Sequence, residues 1–316
     1  MAPRQTAAPD PADPADLADA FLTVRDVLRH AVGRFRAAGI VFGHGTTTAL
    51  DEAAFIVLEG LSLPIDDLNP WLDARLTRAE RVKLLDLVEQ RVATRKPAPY
   101  LLGRAYIQGI PFRVDERVIV PRSYLGELMM TGGLVQEGAG PVPDPLAVTR
   151  VLDLCTGSGC LAIIAAMCFP EATVDAVDLS AEALEVARLN VADHGLEDRV
   201  TLIQGDLFAP VAGRRYDLVI ANPPYVAEAE VAAFPPEYRA EPVIAHAGGA
   251  DGLDLVRRIL REAGDHLTEH GGLLCEIGTG AEILEQEFDL PFLWLDSEES
   301  TGEVFWLSAD DLGLKA

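Results

Sequence analysis

The sequence predicts an α/β chain: a doubly wound parallel sheet, preceded by a smaller helical domain and a β-hairpin. From Val151 onward, continuous apolar runs alternate with helical stretches, which is what a sheet covered on both faces needs. Before about Arg95 the apolar residues recur instead at three- and four-residue steps, the period of buried helix faces. Between these regions, over residues 97–122, short strand-like runs are divided by turn residues, as in a hairpin linker.

Residues 1–16 are rich in Ala, Pro and Asp and have no apolar signal core. They predict a disordered tail. Residues 17–96 predict a bundle. Phe21, Val24, Leu28, Val32 and Phe35 share one helix face, and Phe42-Gly43-His44-Gly45 breaks that helix. Thr47 or Thr48 caps a second helix with Ala53, Phe55, Ile56 and Leu58. A connection follows over 64–70. Thr77 and Glu80 then form a capping box, opening a third helix with Val82, Leu85, Val88 and Val92. The bundle carries no evident chemistry; recognition, a lid or plain scaffold all fit it.

In the linker, strands are expected over 106–108, 112–114 and 117–120. The domain expected over 123–316 starts with a helix at 124–130 and a Gly- and Pro-rich loop at 132–145. Strands are expected at 151–154, 173–178, 200–204, 216–221 and 273–277, with helices at 160–169 and 181–194. The runs 292–295 and 303–307, divided by acids, predict a terminal antiparallel hairpin.

The 316 residues are 49% hydrophobic, enough for a sizeable core, and no stretch has the uncharged length of a membrane span. Fifty acids against 26 basic residues leave a net charge of −24. Such a surface repels phosphate backbones and favours a basic partner, although solubility alone also accounts for it. The four cysteines, Cys155, Cys160, Cys168 and Cys275, lie in apolar segments without a Cys-x-x-Cys pair. Neither a metal nor a disulfide framework is expected, and reduced thiols fit a cytoplasmic protein.

The corner Asn222-Pro223-Pro224-Tyr225 closes the apolar run 216–221. Each proline fixes φ and removes a backbone donor, and the residue before each is pushed out of the helical region. The product is a stiff shelf of a side-chain amide and free carbonyls with a ring behind it. It can accept both hydrogens of a planar –NH2 group and aim that nitrogen at an electrophile. The plain alternatives are a turn whose Asn222 side chain ties its own backbone, and a Tyr225 that is core.

Asp153-Leu154-Cys155-Thr156-Gly157-Ser158-Gly159 joins the first sheet strand to its helix. Gly157 and Gly159 let the backbone approach a ligand, and the helix start offers free N–H groups to a carboxylate. With Asp153 for an ammonium group, this loop matches the methionine end of S-adenosylmethionine; otherwise it is a tight turn. No G-x-G-x-x-G fingerprint is present. Asp178, followed by Leu179, ends the second strand and can accept both ribose hydroxyls or cap the next helix. Asp206 ends the third and can accept from an adenine amino group, with Leu207 or Phe208 against the ring; a polar turn is the alternative. Arg122 pairs with a carboxylate in the site or braces the linker. Glu127 reads as a solvated helix residue, His246 as structural, and Gly249 with Asp251-Gly252 as shaping a loop near the site.

With these motifs in hand, the chain after about Asp16 resembles the protein N(5)-glutamine methyltransferases. The resemblance rests on Phe42-Gly43-His44-Gly45-Thr46, Leu76-Thr77-Arg78-Ala79-Glu80-Arg81, Val114-Asp115-Glu116-Arg117-Val118 and Val120-Pro121-Arg122-Ser123. It continues through the Asp153 to Cys160 loop, Asn222 to Val226, Glu237-Tyr238-Arg239-Ala240-Glu241-Pro242 and Gly249-Ala250-Asp251-Gly252-Leu253. The release-factor branch of the family usually has Gly where Cys155 stands, and Pro-Arg-Pro-x-Thr-Glu where Pro121-Arg122-Ser123-Tyr124 begins. The forms here resemble instead the branch acting on ribosomal protein uL3, except that Tyr124 stands where Pro is common.

The resemblance implies a Rossmann-like class I methyltransferase domain that uses S-adenosylmethionine, releases S-adenosylhomocysteine and needs no metal. Catalysis then falls to Asn222, Pro223 and Tyr225, and substrate binding to these with Pro224 and Arg122. Cofactor binding falls to Asp153, Cys155, Thr156, Gly157, Ser158, Gly159, Asp178, Leu179, Asp206, Leu207 and Asn222. The implied partner is uL3, free or in a ribosome precursor, with no membrane and nucleic acid at most indirectly. The rival expectations are a nucleic-acid N(6)-adenine methyltransferase, which shares the Asn-Pro-Pro-Tyr corner, a release-factor enzyme, and a non-catalytic cofactor-binding assembly factor.

Overall fold

The computed structural model describes residues 17–134, 140–297 and 301–313. The tail expected at 1–16 lies outside them, as does part of the loop expected at 132–145. The chain divides between Leu102 and Gly103 into two compact units.

In the first unit, α1 (Val24–Ala38) starts at Thr23, whose hydroxyl and Asp26 form a capping box, and stops at Gly39 with φ 60°. The stop precedes the Phe42–Gly45 break expected from sequence, because the left-handed residue at the helix end is Gly39. Thr48 caps α2 (Ala49–Gly60). The Thr77–Glu80 box opens α3 (Arg78–Thr94). A short α4 (Ala98–Leu102) stands where the linker was expected to begin. Its Pro99 lies in the first turn, where a missing N–H costs nothing. Phe35, Ile56 and Val88 fill this core. Buried among these helices, Arg91 pairs with Glu52. Glu52 also accepts from Thr46 Oγ1 (2.8 Å), and Arg91 donates to the carbonyls of Val41 and Arg95. These bonds satisfy what the ion pair alone leaves open.

The second unit opens with the hairpin β1 (Arg104–Ile107) and β2 (Ile110–Arg113). Its turn residues Gln108 and Gly109 have φ 48° and 76°, the two positive values of a tight hairpin turn that matches strand twist. Residues 117–120 are not the strand expected from their apolar pattern. Asp115 accepts from both the Arg117 backbone N–H and its guanidinium, folding that stretch into a turn. Ser123 then caps α5 (Tyr124–Met130).

A seven-stranded sheet follows: β3 (Arg150–Leu154), β4 (Thr173–Asp178), β5 (Val200–Gln204), β6 (Tyr216–Ala221), β7 (Leu267–Glu276), β8 (Leu293–Leu295) and β9 (Val304–Ser308). The order is β5-β4-β3-β6-β7-β9-β8. The first five are parallel, while β9 runs antiparallel to β7 and β8. Successive strand residues serve opposite faces. Val151 and Leu218 pack against α6 (Cys160–Cys168). Leu152, Leu154 and Val219 join a second core with Val256 and Ile259. Helices α7 (Ala181–Asp193), α8 (Glu228–Ala232), α9 (Asp254–Glu262) and α10 (Ala281–Glu287) complete the unit. Among the described residues no helix is long and apolar enough to cross a membrane. The chain runs outward through β4 and β5, then returns past β3 to β6. Such a reversal opens a crevice at the carboxyl ends of β3 and β6.

Candidate active site

The turn after β3 is built around two left-handed glycines with different tasks. At Gly157 (φ 55°) an added Cβ would meet nothing within 4 Å, so the loop presents open backbone. At Gly159 (φ 79°) it would stand 3.1 Å from the Ala187 Cβ, so this glycine serves close packing against α7. Cys155 is also left-handed, at φ 59°, a conformation that costs a residue with a Cβ about 1–2 kcal/mol. Two bonds tether the loop to β4: Thr156 N–H to the Val177 carbonyl (3.0 Å) and Gly157 N–H to Asp178 Oδ2 (2.8 Å).

Two cavities meet over this loop. The smaller, about 120 Å³, runs along the ends of β4 and β5 past Asp178, Leu179, Asp206 and Leu207. The larger, about 350 Å³, has Arg122, Ser123, Thr156, Ser158, Pro223 and Tyr225 among its walls. Cys155, Gly157 and Asn222 line both. The Asn-Pro-Pro-Tyr corner and the glycine turn therefore face one continuous crevice.

The corner has a backbone foundation. An added Cβ on Gly248 would lie 2.6 Å from the Pro224 carbonyl oxygen, and one on Gly252 2.2 Å from that of Tyr225. Only bare glycine lets the 248–252 loop support the corner from behind. The Val226 N–H to His246 O and Gly248 N–H to Val226 O bonds, both 2.9 Å, join the two segments. On the crevice side, the Asn222 side chain has no hydrogen-bond partner among the described residues. No backbone N–H of those residues donates to the Pro223 carbonyl. Two acceptors are thus left open on a rigid turn.

Asp178 lies in the smaller cavity, its oxygens accepting from Ser180 and Gly157 N–H (both 2.8 Å); burial raises its pKa. Asp206 is in the same cavity and is bridged by Arg258 at 2.9 Å. Leu207 is buried and left-handed, at φ 47°.

Two of the expected site residues are tied to the protein's own groups. Asp153 is fully buried beneath the loop and lines neither cavity. Burial pushes its carboxyl up to about 7, against the Thr156 hydroxyl and the Ala162 N–H. Asp153 accepts from the Thr156 hydroxyl and so secures the loop. Arg122 is committed to a bidentate pair with buried Glu241 (3.0 and 2.8 Å) and lies over the Tyr238 ring at 5.4 Å. It braces the cavity wall.

Three buried groups near the crevice had been given no chemistry or none beyond structure. Glu241 also accepts from Val120 N–H at 2.8 Å. His246 Nε2 stands 3.0 Å from Glu241 Oε2, out of line for a hydrogen bond. Glu276 accepts from Ser123 Oγ (2.7 Å), Tyr124 N–H (3.0 Å) and Tyr225 Oη (3.1 Å). Burial raises the Glu276 pKa to about 7 and holds the Tyr225 phenol well above its usual value. The available signal for Glu276 was a single acid inside Leu273-Leu274-Cys275-Glu276-Ile277. Among the described residues no group of three or more His, Cys, Asp or Glu side chains is placed to hold a metal ion.

Residues 142–234 match the family model of the methyltransferase small domain. With the sheet order and the crevice position, this defines a Rossmann-like class I methyltransferase. The chain belongs to the ribosomal protein uL3 glutamine methyltransferase family. It is 58% identical over 295 residues to the uL3 glutamine methyltransferase of Bradyrhizobium diazoefficiens, covering 92% of each chain. Identity is 52% over 292 residues with that of Bordetella pertussis, covering 92% of this chain and 96% of that one. With that of Burkholderia pseudomallei it is 50% over 301 residues, with the same coverages. These relatives carry neither a nucleic-acid nor a release-factor name, and those two expectations are set aside.

Proposed function

We propose that this protein moves a methyl group from S-adenosylmethionine to the side-chain amide nitrogen of a glutamine in ribosomal protein uL3. It meets uL3 in the cytoplasm, free or in a ribosome precursor. The observation that carries this reading is the pair of open acceptors, Asn222 Oδ1 and Pro223 O, on a crevice shared with the glycine turn.

The crevice fits the donor. Gly157 leaves open the space a Cβ would fill, beside the polar end suited to a methionine moiety. The smaller cavity offers Asp178 to ribose hydroxyls, Asp206 to an adenine amino group, and Leu179 and Leu207 to the ring faces. When bound, S-adenosylmethionine supplies an electrophilic sulfonium methyl, and S-adenosylhomocysteine is the product.

The remaining catalytic work is positional. An amide nitrogen is a weak nucleophile, because its lone pair is delocalised into the carbonyl. Asn222 Oδ1 and the Pro223 carbonyl accept its two hydrogens, hold the nitrogen at the mouth of the donor cavity and stabilise the positive charge that develops on it. Pro224 stiffens the shelf, Tyr225 packs along the substrate side chain, and Arg122 fixes the facing wall through Glu241. None of these groups is a strong base at the nitrogen, and the proton leaves last, to water. In this reading residues 123–316 form the catalytic domain, with the 97–122 linker and the 17–96 bundle before it.

The test is mass spectrometry of uL3 from cells with and without the protein. One glutamine must lose a single methyl when the protein is missing. An unchanged uL3 mass overturns the proposal.

A further inference from the structure

We propose that Glu276 is a positioning residue for the reaction: it holds the Tyr225 ring and the Ser123-Tyr124 turn in register, and so sets the shape of the acceptor end of the crevice. The proposal rests on the methyl-transfer reading above.

Glu276 closes β7, and Cys275 pairs with Ala221, so Glu276 lies level with Asn222, the residue that follows β6. Its side chain is 1% exposed and lines neither cavity, so it acts through the groups it holds. One oxygen, Oε1, takes the Tyr225 hydroxyl; the other, Oε2, takes the Ser123 hydroxyl and the Tyr124 N–H. Ser123 and Tyr225 belong to different segments, about 100 residues apart in sequence, and both line the larger cavity. The Tyr225 ring is fixed at a second point. An added Cβ on Gly278 would lie 2.9 Å from its Cδ2, so ring and bare backbone are in close contact.

Stability alone does not explain this carboxylate. A buried acid in a parallel strand is costly to desolvate even when its bonds are made, and apolar residues of similar size are often as stable in such places. Only a hydrogen-bonding group can tie a hydroxyl on one wall to a hydroxyl and an N–H on the other. Tyr225 follows Pro224 directly, so the angle of its ring and the position of the Asn222 shelf are set together.

The experiment compares wild type, Glu276→Gln, Tyr225→Phe and the double variant, with purified uL3 as substrate and calorimetry of S-adenosylhomocysteine. Glutamine keeps the size of Glu276 but puts an –NH2 against at least one donor. Each single variant is expected to lower kcat by about tenfold to hundredfold, the cost of an ångström-scale misplacement. Product affinity stays within about twofold, because the donor cavity is untouched. The double variant falls no further than the worse single one, since the Tyr225 hydroxyl acts only through its bond to Glu276. A Glu276→Gln enzyme with unchanged kcat, or losses that multiply in the double variant, overturns the proposal.

NMR of ring-labelled tyrosine gives a readout free of turnover. Glu276→Gln must shift the resonance that Tyr225→Phe removes; an unmoved resonance overturns the proposal even if wild type leaves uL3 unmodified. The latter result by itself sinks the functional reading instead. Equal loss of melting temperature, product binding and kcat assigns Glu276 to the fold alone and also overturns it.

Discussion

Replacing Asn222 by Ala separates catalysis from folding more cleanly than any other change in this site. The Asn222 side chain bonds to no described residue, so its removal leaves no protein donor stranded and no designed contact broken. Stability should stay within about 0.5 kcal/mol, as for a substitution that touches no structural feature. The reaction loses one of its two acceptors at the moment the amide nitrogen becomes positive. A hydrogen bond to a group carrying charge is worth about 1.5–3 kcal/mol net. Preorganised groups at such a position reach a loss of about 10²–10³ in kcat when one is removed. The assay is single-turnover methylation of uL3 with labelled donor, beside calorimetry of S-adenosylhomocysteine. Product affinity should fall by much less than kcat, since Asp178, Asp206 and Gly157 remain. Asn222→Asp keeps an acceptor and should recover part of the rate. The reasoning fails if Asn222→Ala turns over within about fivefold of wild type, or if affinity and kcat drop by the same factor.

The two loop glycines should respond differently. Gly157→Ala, with open space around its Cβ, should weaken S-adenosylhomocysteine binding while costing only the ~1–2 kcal/mol of a left-handed alanine; Gly159→Ala, whose Cβ meets Ala187 at 3.1 Å, adds strain to helix packing, and urea melts with calorimetry distinguish the two. Gly252→Ala would drive a Cβ to 2.2 Å from the Tyr225 carbonyl at φ 87°, and a loss of about 2–5 kcal/mol in urea unfolding is expected from overpacking plus backbone strain. For pH, Asp153 binds its proton more tightly when folded, with a pKa raised from 3.8 to about 7. Its stabilising contribution is therefore full below pH 3.8 and is lost as pH rises through about 7. Glu276, raised from 4.5 to about 7, acts in the same direction. Asp153→Asn should flatten the pH dependence of the urea-unfolding free energy, removing up to ~4 kcal/mol of change across that window; an unchanged pH dependence refutes the assignment.

The sheet was legible where its strands carry short apolar runs ended by polar or glycine residues. Thus β4, β5 and β6 occupy the residues expected of them. Strand β7 starts at Leu267, six residues before the strand expected at 273–277, because Thr268-Glu269-His270 interrupt the apolar run. The Thr77–Glu80 box and Ser123 announce helices through local bonds that need no tertiary context. Residues 117–120 misled for the opposite reason. Their apolar run favoured a strand, but among the described residues no strand pairs with them, and Asp115 bonds Arg117 locally. Helix α4 was hidden by Pro97 and Pro99, which block a helix interior but not its first turn.

The site divides along the same line. Backbone-determined features, the open Gly157 and the proline corner, could be read residue by residue because their chemistry lies in their own φ angles and missing donors. For Asp153 the position in the loop was legible, but the direction of its carboxyl was not, because that depends on Thr156 turning back over it. Glu241 and Glu276 were harder to read, for a stronger reason. Each bonds to groups far away in the chain, Val120 and Arg122 for one, Ser123 and Tyr225 for the other. A buried acid declares itself only through the donors that make it tolerable. One acid in an apolar strand is nevertheless a signal. Desolvation makes such a residue costly unless several donors converge on it, and donors arriving from separate segments fix those segments in space. In this protein the two buried glutamates stand where the linker turn meets the catalytic corner, so the acids least visible to pattern reading are those that hold the acceptor site's walls together.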